Sequence, residues 1–461
     1  MNNFSFYQSP FSWRYGSEKM RQVFSEENKF RIWRRIWVEL AKAQYKLGLV
    51  SKRELDDLKK YQEDIHIQRI LEIEQDTQHD VVAAIKEFAE KAKIGGGKIH
   101  LGATSVDITD NADTIRAQEA LEEIELKLKI LLKTFAEKIG EYQELACMGY
   151  THLQPAEPTT LGYRFSFYAQ DLLIDLQFLQ FIKTQLKSKG FKGAVGTSAS
   201  YTKLLDKNRA AVLEADIASQ LGINIVDISN QTGPRKVEYL LGSLLSSISQ
   251  SLTKFAFDLR IMQSPGFGEW QEPFGKNQVG SSAMPFKKNP IKSEQICSLA
   301  RLIVNLSGTL WSNASHMLLE RTLDDSANRR VVIPEMFLAA DEILMTANKV
   351  LGGLIINEKR INKNLENYWP FSASEAILME AVKKGADRQK MHETLRAIAM
   401  EAWKKLQDGE DNPMKDLLMK DLEIEKYLTK KEIEKLFDVI NHLGNAPEKC
   451  KKFILKIKKN V

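Results

Sequence analysis

Three long stretches of this chain repeat apolar residues at helical spacing and contain no proline. Between Ile115 and Leu145, apolar residues recur every three or four positions, as they do along one face of an α-helix. The same spacing returns between Phe165 and Leu186 and between Val237 and Met262. Helices of about 25 residues are roughly twice the globular average in length, and they usually bury their apolar faces in a bundle. The sequence therefore predicts an all-α fold around a long central helical bundle.

A predicted turn near residue 104 and a change of composition after Asn357 predict three domains. The first long helix is expected to begin just after a Gly-Ala-Thr-Ser turn, and short, charged helical segments are expected after Asn357. The predicted domains are an N-terminal helical domain over residues 1–103, a central bundle domain over 104–356 and a C-terminal helical domain over 357–461.

The charge balance of the chain is close to neutral for its size. Sixty-six basic and 61 acidic residues give a net charge of +5 over 461 residues, which argues against a dedicated nucleic-acid-binding protein. The one concentrated basic stretch runs from Lys449 to Lys459. We interpret it as a solvated helix end, with contact to a membrane surface or nucleic acid as the alternative.

Cysteine usage and hydropathy predict a cytoplasmic protein. Three cysteines in a chain of this length do not make a disulfide framework. The first ten residues lack the charged and apolar regions of a signal peptide. No apolar run approaches the roughly 20 residues that a membrane span requires, so neither a membrane nor a nucleic acid is an expected partner.

A loop rich in chemical groups is predicted at residues 275–290. Residues 280–290 read Gly-Ser-Ser-Ala-Met-Pro-Phe-Lys-Lys-Asn-Pro, and the glycines and prolines exclude a regular helix. Two hydroxyls, two ammonium groups and an amide on one loop suit chemistry on an anionic substrate. As bare composition this signal is weak, because most loops rich in Ser, Lys and Gly are only solvated connections.

No metal or cofactor site is predicted. The chain has no His-Glu-x-x-His, no Cys-x-x-Cys and no Gly-x-Gly-x-x-Gly motif after a strand. Three histidines lie in polar contexts, namely His79, His100 and His152, but each taken alone fits a structural role better. The Asp324-Asp325 pair lies among arginines, which indicates ion pairing and anion binding rather than a cation site.

Ordered blocks of the sequence carry a family resemblance. The loop at 280–290 resembles the signature of the fumarase/aspartase superfamily, and two more blocks match it in order. Further strings are similar to the adenylosuccinate lyase family within that superfamily. The blocks are Ser12–Ser17, His79–Val81, Gly102–Ser105, Thr151–Ala156, the loop and Glu320–Arg330.

The resemblance implies β-elimination of fumarate from succinyl nucleotides in purine biosynthesis, without a cofactor. It makes Ser281 the base that removes a proton from carbon and His152 the acid that protonates the leaving nitrogen. It also implies a substrate-binding set: Arg14, Tyr15, His79, Asp80, Thr104, Ser105, Gln231, Lys287, Asn289, Arg321, Ser326 and Arg330.

The same resemblance implies a homotetramer whose active sites are shared between subunits. Argininosuccinate lyase and carboxymuconate cycloisomerase are the nearest sibling activities, and the Glu320–Arg330 block disfavours both. A non-catalytic helical scaffold is the alternative of another class, and it predicts loss of the loop or of His152. The chain departs from some relatives at Gln78 and Gln295, where they carry arginine.

Overall fold

A computed structural model of the chain describes residues 5–461, and helices dominate it. The first four residues of the N-terminal stretch considered above lie outside the described range. From residue 5 onward the structure contains eighteen α-helices and four short strands. The helices are α1 (Glu18–Val23), α2 (Glu26–Lys46), α3 (Lys52–Lys60), α4 (Ile67–Thr77), α5 (Asp80–Lys91), α6 (Ser105–Glu141), α7 (Leu161–Gln185), α8 (Ala199–Leu204), α9 (Lys207–Leu221), α10 (Lys236–Met262), α11 (Ile291–Ser315), α12 (Ser326–Gly352), α13 (Glu358–Lys383), α14 (Arg388–Gln407), α15 (Met414–Lys420), α16 (Leu422–Glu425), α17 (Lys430–Leu436) and α18 (Ala446–Asn460). The strands are β1 (Ala146–Thr151), β2 (Gln154–Thr160), β3 (Trp270–Gln271) and β4 (Ile355–Ile356), paired antiparallel as β1–β2 and β3–β4.

The long helices confirm the all-α prediction. Helices α6, α7 and α10 occupy the three stretches with helical spacing. The apolar stripe of α6 is fully buried, because each of its large members has no exposed surface: Leu121, Ile124, Leu128, Leu131, Leu132, Phe135 and Ile139. Two further long helices, α11 and α12, were not singled out from the sequence. Helix α12 contains Pro334, which normally marks a helix end.

The C-terminal region differs from its prediction. Short helical segments were expected after Asn357, yet α13 has 26 residues and α14 has 20. Helix α13 continues through Pro370, and only from α15 onward are the helices short. Its first turn is capped by Asn357, whose side chain accepts a hydrogen bond from the Arg360 amide. The two predicted domain boundaries, near residues 104 and 356, stay a prediction.

The chain forms two compact units, and each has its own core. The first comprises residues 5–128, 175–250 and 298–345, with a large apolar cluster built by α2, α5 and α9 around Trp37 and Phe88. The second comprises residues 129–174, 251–297 and 346–461. Its C-terminal helices enclose one cluster around Ile377 and Met414, and the β1–β2 hairpin packs on α13 in another. No helix within residues 5–461 is long and apolar enough to cross a membrane.

A buried histidine links two elements of the first core. The indole Nε1 of Trp37 donates a hydrogen bond to Nδ1 of His100 at 3.1 Å, so the imidazole is held as a neutral acceptor. Burial lowers the pKa of His100 to about 4, and the charge of nearby Asp107 opposes this only in part. Protonation of His100 would break the bond to Trp37 and charge a buried ring.

This histidine should make the protein less stable in mild acid. An unfolded chain binds the proton near pH 6.5, whereas the folded chain resists it down to about pH 4. The free energy of unfolding should therefore fall as pH drops from 6.5 to 4, by up to about 3 kcal/mol from this group. In His100→Asn, which lacks the titrating ring, chemical denaturation should show a shallower pH dependence over that window.

The exposed His392 on α14 provides the matched control for that measurement. His392→Asn should keep the wild-type slope of stability against pH. Equal slopes for wild type and His100→Asn would show that His100 is not the group responsible.

Candidate active site

The loop predicted from glycines and prolines connects β3 to α11 and has no regular secondary structure. Its two ends meet because the Asn289 side-chain amide donates a hydrogen bond to the Gly280 carbonyl at 2.9 Å. Gly280 is required by this closure. A Cβ atom there would lie 2.1 Å from the carbonyl oxygen of Lys287, which backbone cannot tolerate. Asn289 is therefore occupied in shaping the loop.

Ser281 stands at the start of a tight turn within this loop. Its Oγ accepts hydrogen bonds from the backbone amides of Met284 at 3.1 Å and Ala283 at 3.4 Å. Amide donors that converge on one oxygen favour its ionised form. The neighbouring Ser282 is more exposed, and in the described part of the chain its hydroxyl has no such amide pair.

Two side chains, the buried Glu272 and the partly exposed Gln263, fix the loop to the second unit. Glu272 is 5% exposed and accepts backbone hydrogen bonds from Lys292 and Ser293 at the start of α11. Gln263, at the end of α10, donates to the Lys288 carbonyl at 2.8 Å. The tip between these anchors is exposed, including Lys287 and Phe286, whose ring is 82% exposed. The loop is thus fixed at its ends and open at its tip.

His152 lies at the tip of the β1–β2 hairpin, in a turn of unusual backbone geometry. Thr151 pairs with Gln154, so His152 and Leu153 alone form the loop, with φ angles of 55° and 61°. A two-residue turn with both φ angles positive normally carries Asn-Gly or Asp-Gly. Such strain persists only where the surroundings enforce it, and it concentrates at functional sites. Within residues 5–461 the exposed His152 imidazole has no hydrogen-bond partner.

The hairpin was missed in the sequence because its usual signals are absent. Its turn has no glycine, and β2 contains Pro155 and Pro158, which normally exclude a strand from a sheet interior. A two-stranded ribbon has only edges, so prolines are tolerated there. The residues that hold it, the mostly buried Arg164 and the fully buried Glu269, were missed as well. For Arg164, the one available signal in the sequence was its own charge within the apolar stretch that forms α7.

In the first unit, His79 and Asp80 form the start of α5. The Nδ1 atom of His79 accepts a hydrogen bond from the Val82 amide at 3.4 Å, which fits a ring with its proton on Nε2. Asp80 binds the guanidinium of Arg330 at 2.8 Å. Burial opposes ionisation of Asp80, yet the hydrogen bond and charge of Arg330 hold the pKa of this carboxyl below its ordinary value. Arg330 itself is 60% exposed and can bind a further anion.

Arg321 belongs to a buried ion-pair network rather than to an open cation site. Asp325 accepts hydrogen bonds from Arg321 at 2.9 Å and from Arg235 at 2.6 Å. Arg235 also binds Asp110 on α6, and burial of that carboxyl is outweighed by its arginine neighbours, which lower its pKa. Arg329 is paired with Glu238. The ion pairing inferred for the Asp324-Asp325 block is thus present, and Ser326 begins α12 directly after it.

Thr104 and Ser105 stand at the N-terminus of α6, the longest helix. The Thr104 amide donates to the Asp107 carboxylate at 3.0 Å, and Asp107 is fully buried against Lys189 at 2.5 Å. This pair fixes the helix start, whose amides and dipole favour an anion.

Gln231 contacts the backbone of the Glu320–Arg330 block. Its backbone amide donates a hydrogen bond to the Glu320 carbonyl at 3.2 Å. The neighbouring Asn230 donates its side-chain amide to the carbonyl of Leu319, a residue whose φ is 45°.

Arg14 and Tyr15 follow a short 3₁₀ turn that is tied to α12. The Gly16 and Ser17 amides donate to Glu342 and Asp341 of that helix. The Arg14 guanidinium is exposed, and in the described chain it has no acidic partner, which leaves it available to a ligand anion.

The structure brings some of the expected residues together and leaves others apart. Direct contacts join Asp80 with Arg330, and Gln231 with the backbone that precedes Arg321. Ser281, Lys287 and Asn289 share one loop, but no hydrogen bond in the described chain joins His152 to that loop. Likewise, within residues 5–461 no hydrogen bond or ion pair joins Arg14 or Tyr15 to the other expected ligands.

Comparison with protein families supports one assignment. The family model described as "Lyase" matches residues 14–304, and the model described as "Adenylosuccinate lyase C-terminus" matches residues 370–453. Solved structures share the fold. The chain superposes on a fumarate lyase from Mesorhizobium sp. BNC1 with a TM-score of 0.84 at 23% identity, covering 97% of this chain and 99% of the other. The 3-carboxy-cis,cis-muconate lactonizing enzyme from Pseudomonas putida gives a TM-score of 0.86 at 21% identity, with coverage of 98% and 99%.

Curated relatives are similar over almost their whole length. The chain is 36% identical to adenylosuccinate lyase from Saccharomyces cerevisiae, over 99% of this chain and 95% of that protein. It is 38% identical to adenylosuccinate lyase from Schistosoma mansoni, with coverage of 91% and 89%. The adenylosuccinate lyase of Methanocaldococcus jannaschii is 37% identical, with coverage of 95% and 94%. The chain belongs to the adenylosuccinate lyase family.

Proposed function

We propose that this protein cleaves adenylosuccinate to AMP and fumarate, and succinylaminoimidazole carboxamide ribotide to its amide and fumarate. The observation that supports the proposal is near-full-length similarity to adenylosuccinate lyases at 34–38% identity. The muconate-type structures share the fold at much lower identity. The proposed base and acid, Ser281 and His152, lie on two non-helical segments, the loop and the hairpin tip.

The reaction has one difficult step. The proton to be removed lies on a carbon beside a carboxylate, and its loss creates a dianionic, aci-carboxylate-like intermediate. A base, groups that stabilise the new negative charge and an acid for the leaving nitrogen are therefore needed.

Ser281 is the proposed base. A free serine hydroxyl is a poor base, but the amides of Ala283 and Met284 already point at its Oγ and would stabilise an alkoxide. The exposed Lys287 supplies positive charge from the same loop, and Asn289 keeps the loop closed. Exclusion of water when the exposed tip is covered would strengthen each of these interactions.

His152 is the proposed acid. An imidazole titrates near neutrality and can pass a proton to the leaving nitrogen. Its exposed ring at the hairpin tip is free to meet a substrate.

The first unit supplies the proposed nucleotide and carboxylate contacts. Arg14 and Arg330 expose guanidinium groups that can bind a phosphate. Arg321 orders the Glu320–Arg330 block through its ion pair with the buried Asp325. Thr104 and Ser105 offer hydroxyls and helix N-terminal amides to a carboxylate. His79, Tyr15, Gln231 and Ser326 complete the proposed set.

A homotetramer with shared sites is proposed from the exposed apolar faces of the long helices. Helix α7 buries Phe165 and Leu172 but leaves Phe167, Ile174 and Phe181 more than half exposed. On α11, Trp311 is 55% exposed. Exposed apolar surface of this extent marks an interface. A second copy would cover these faces, as the family resemblance implies.

A cytosolic location is proposed on chemical grounds. The substrates are water-soluble nucleotides, and Cys147, Cys297 and Cys450 are all free and buried. Unpaired thiols fit a reducing compartment.

The activity can be tested by following fumarate release. Purified protein should turn over adenylosuccinate and the succinylated ribotide, and it should leave argininosuccinate unchanged. Absence of fumarate from both nucleotides, with a folded protein, would refute the proposed function. Fumarate from argininosuccinate would assign the sibling activity instead.

The two serines of the loop should differ sharply. Ser281→Ala removes the oxygen that the amides surround and should abolish turnover nearly completely, whereas Ser282→Ala should be milder. His152→Ala should lower kcat by roughly 10²- to 10⁴-fold, the usual contribution of one general acid. Steady-state kinetics at saturating adenylosuccinate measure all three. A larger defect in Ser282→Ala than in Ser281→Ala would reverse the assignment of the base.

Shared sites should be visible by complementation. If His152 and Ser281 reach one site from different subunits, mixed oligomers of the two inactive variants should regain about a quarter of the sites, by random assortment. A mixture of Ser281→Ala and Lys287→Ala is the matched control. Both changes lie on one loop, so this mixture should regain nothing. Equal recovery, or none in either mixture after confirmed subunit exchange, would contradict shared sites.

A further inference from the structure

One buried carboxylate holds three elements of the second unit together behind the hairpin. Glu269, with no exposed surface, precedes β3. Its Oε1 accepts hydrogen bonds from the Tyr150 hydroxyl at 3.2 Å and from the Asn364 amide at 3.1 Å. Its Oε2 accepts one from Arg164 at 3.3 Å. Strand β1, helix α13 and helix α7 therefore meet at a single side chain.

Arg164 extends this contact to the backbone of the hairpin. Its second guanidinium nitrogen donates to the Met148 carbonyl at 2.6 Å. Met148 and Tyr150 flank the bulge at which the register of β1 against β2 shifts. The Tyr150 ring also packs edge-on against Phe267, with the ring centroids 5.0 Å apart. Burial and the charge of Glu269 raise the pKa of Tyr150, so its hydroxyl stays a donor.

The position of these contacts along β1 gives them their importance. Tyr150 is one residue from Thr151, the first residue of the strained turn, and two from His152. A turn with positive φ at both central residues needs support from its strands, because neither residue is glycine. The tip is exposed, so the support must come from the strand beside the turn, where Glu269 binds Tyr150 and Arg164 binds Met148.

We propose that Glu269 is a positioning residue for the reaction: through Tyr150 and Arg164 it fixes the hairpin so that the His152 imidazole meets the leaving nitrogen. This inference rests on the proposed function, since it takes His152 as the acid. Within residues 5–461, no hydrogen bond or ion pair joins Glu269 to His152. Its effect on the rate must pass through the hairpin.

Tyr150→Phe and Glu269→Gln test the proposal in complementary ways. The first removes one hydrogen bond and keeps the ring, and the second keeps the shape but removes the charge that faces the mostly buried Arg164. With adenylosuccinate, well below each melting temperature, kcat should fall about 10- to 100-fold, because displacement of a reacting group by an ångström has that effect. KM should stay close to the wild-type value. If Glu269→Gln does not fold, Tyr150→Phe carries the test alone.

A double-mutant cycle separates positioning from general stability. Tyr150→Phe should lower kcat in the wild type but have almost no effect in a His152→Ala background, because the group it positions is then absent. Glu272→Gln is the matched control. Glu272 is a buried glutamate of the same segment, but its partners are backbone amides of α11. Glu272→Gln should therefore change kcat by the same factor in the wild type and in the His152→Ala background.

The outcomes distinguish this inference from the proposed function. No turnover by wild type, or full activity of His152→Ala, refutes the assigned chemistry and the inference with it. If wild type is active and His152→Ala is not, the chemistry stands. An equal loss from Tyr150→Phe in both backgrounds, or no loss in either, then overturns the positioning role alone.

Discussion

The apolar surface of the long helices is the constraint on which the rest of the structure depends. Helix α7 illustrates it, because Phe165 and Leu172 are buried within the chain while Phe167 and Ile174 face outward. A helix that is apolar on most sides is stable only when all of those sides are covered. The hydrophobic effect therefore favours a rigid bundle and, by our proposal, the association of copies around it. By our proposal, the reacting groups lie on the short segments that connect these rigid helices.

Those segments owe their shape to specific buried contacts. The signature loop closes through Asn289 and Gly280, and Glu272 anchors it at α11. The hairpin keeps a strained turn at His152 because Tyr150, close to that turn, is bound to Glu269. In both cases a buried carboxylate bonds to backbone or side-chain donors, and an exposed tip carries the proposed reactive group. Firm anchoring beneath an open tip is what a site completed by a substrate or by a neighbouring subunit requires.

Much of this arrangement could be predicted from the sequence, for identifiable reasons. Helical periodicity predicted α6, α7 and α10, because apolar residues that recur every three or four positions fit few regular structures other than an α-helix. The loop was visible because glycine and proline act locally. Helices α12 and α13 were harder, because Pro334 and Pro370 lie within them and tertiary packing outweighs their local preference. The hairpin carries no usual turn residue, so His152 and Leu153 could be placed only by the structure. Roles for Ser281 and His152 came from resemblance, because composition alone is a weak signal and most loops of this kind are only solvated connections.

By our proposal, the Ser281 oxygen removes the proton from carbon while His152 protonates the leaving nitrogen. A crystal structure of the His152→Ala variant with adenylosuccinate bound would test this mechanism most directly. The Ser281 Oγ should lie within about 3.5 Å of the methylene carbon, the separation of reacting atoms in a productive complex. The vacated imidazole position should face the leaving nitrogen. A different side chain at that carbon, with the Ser281 oxygen out of reach, would rule this mechanism out.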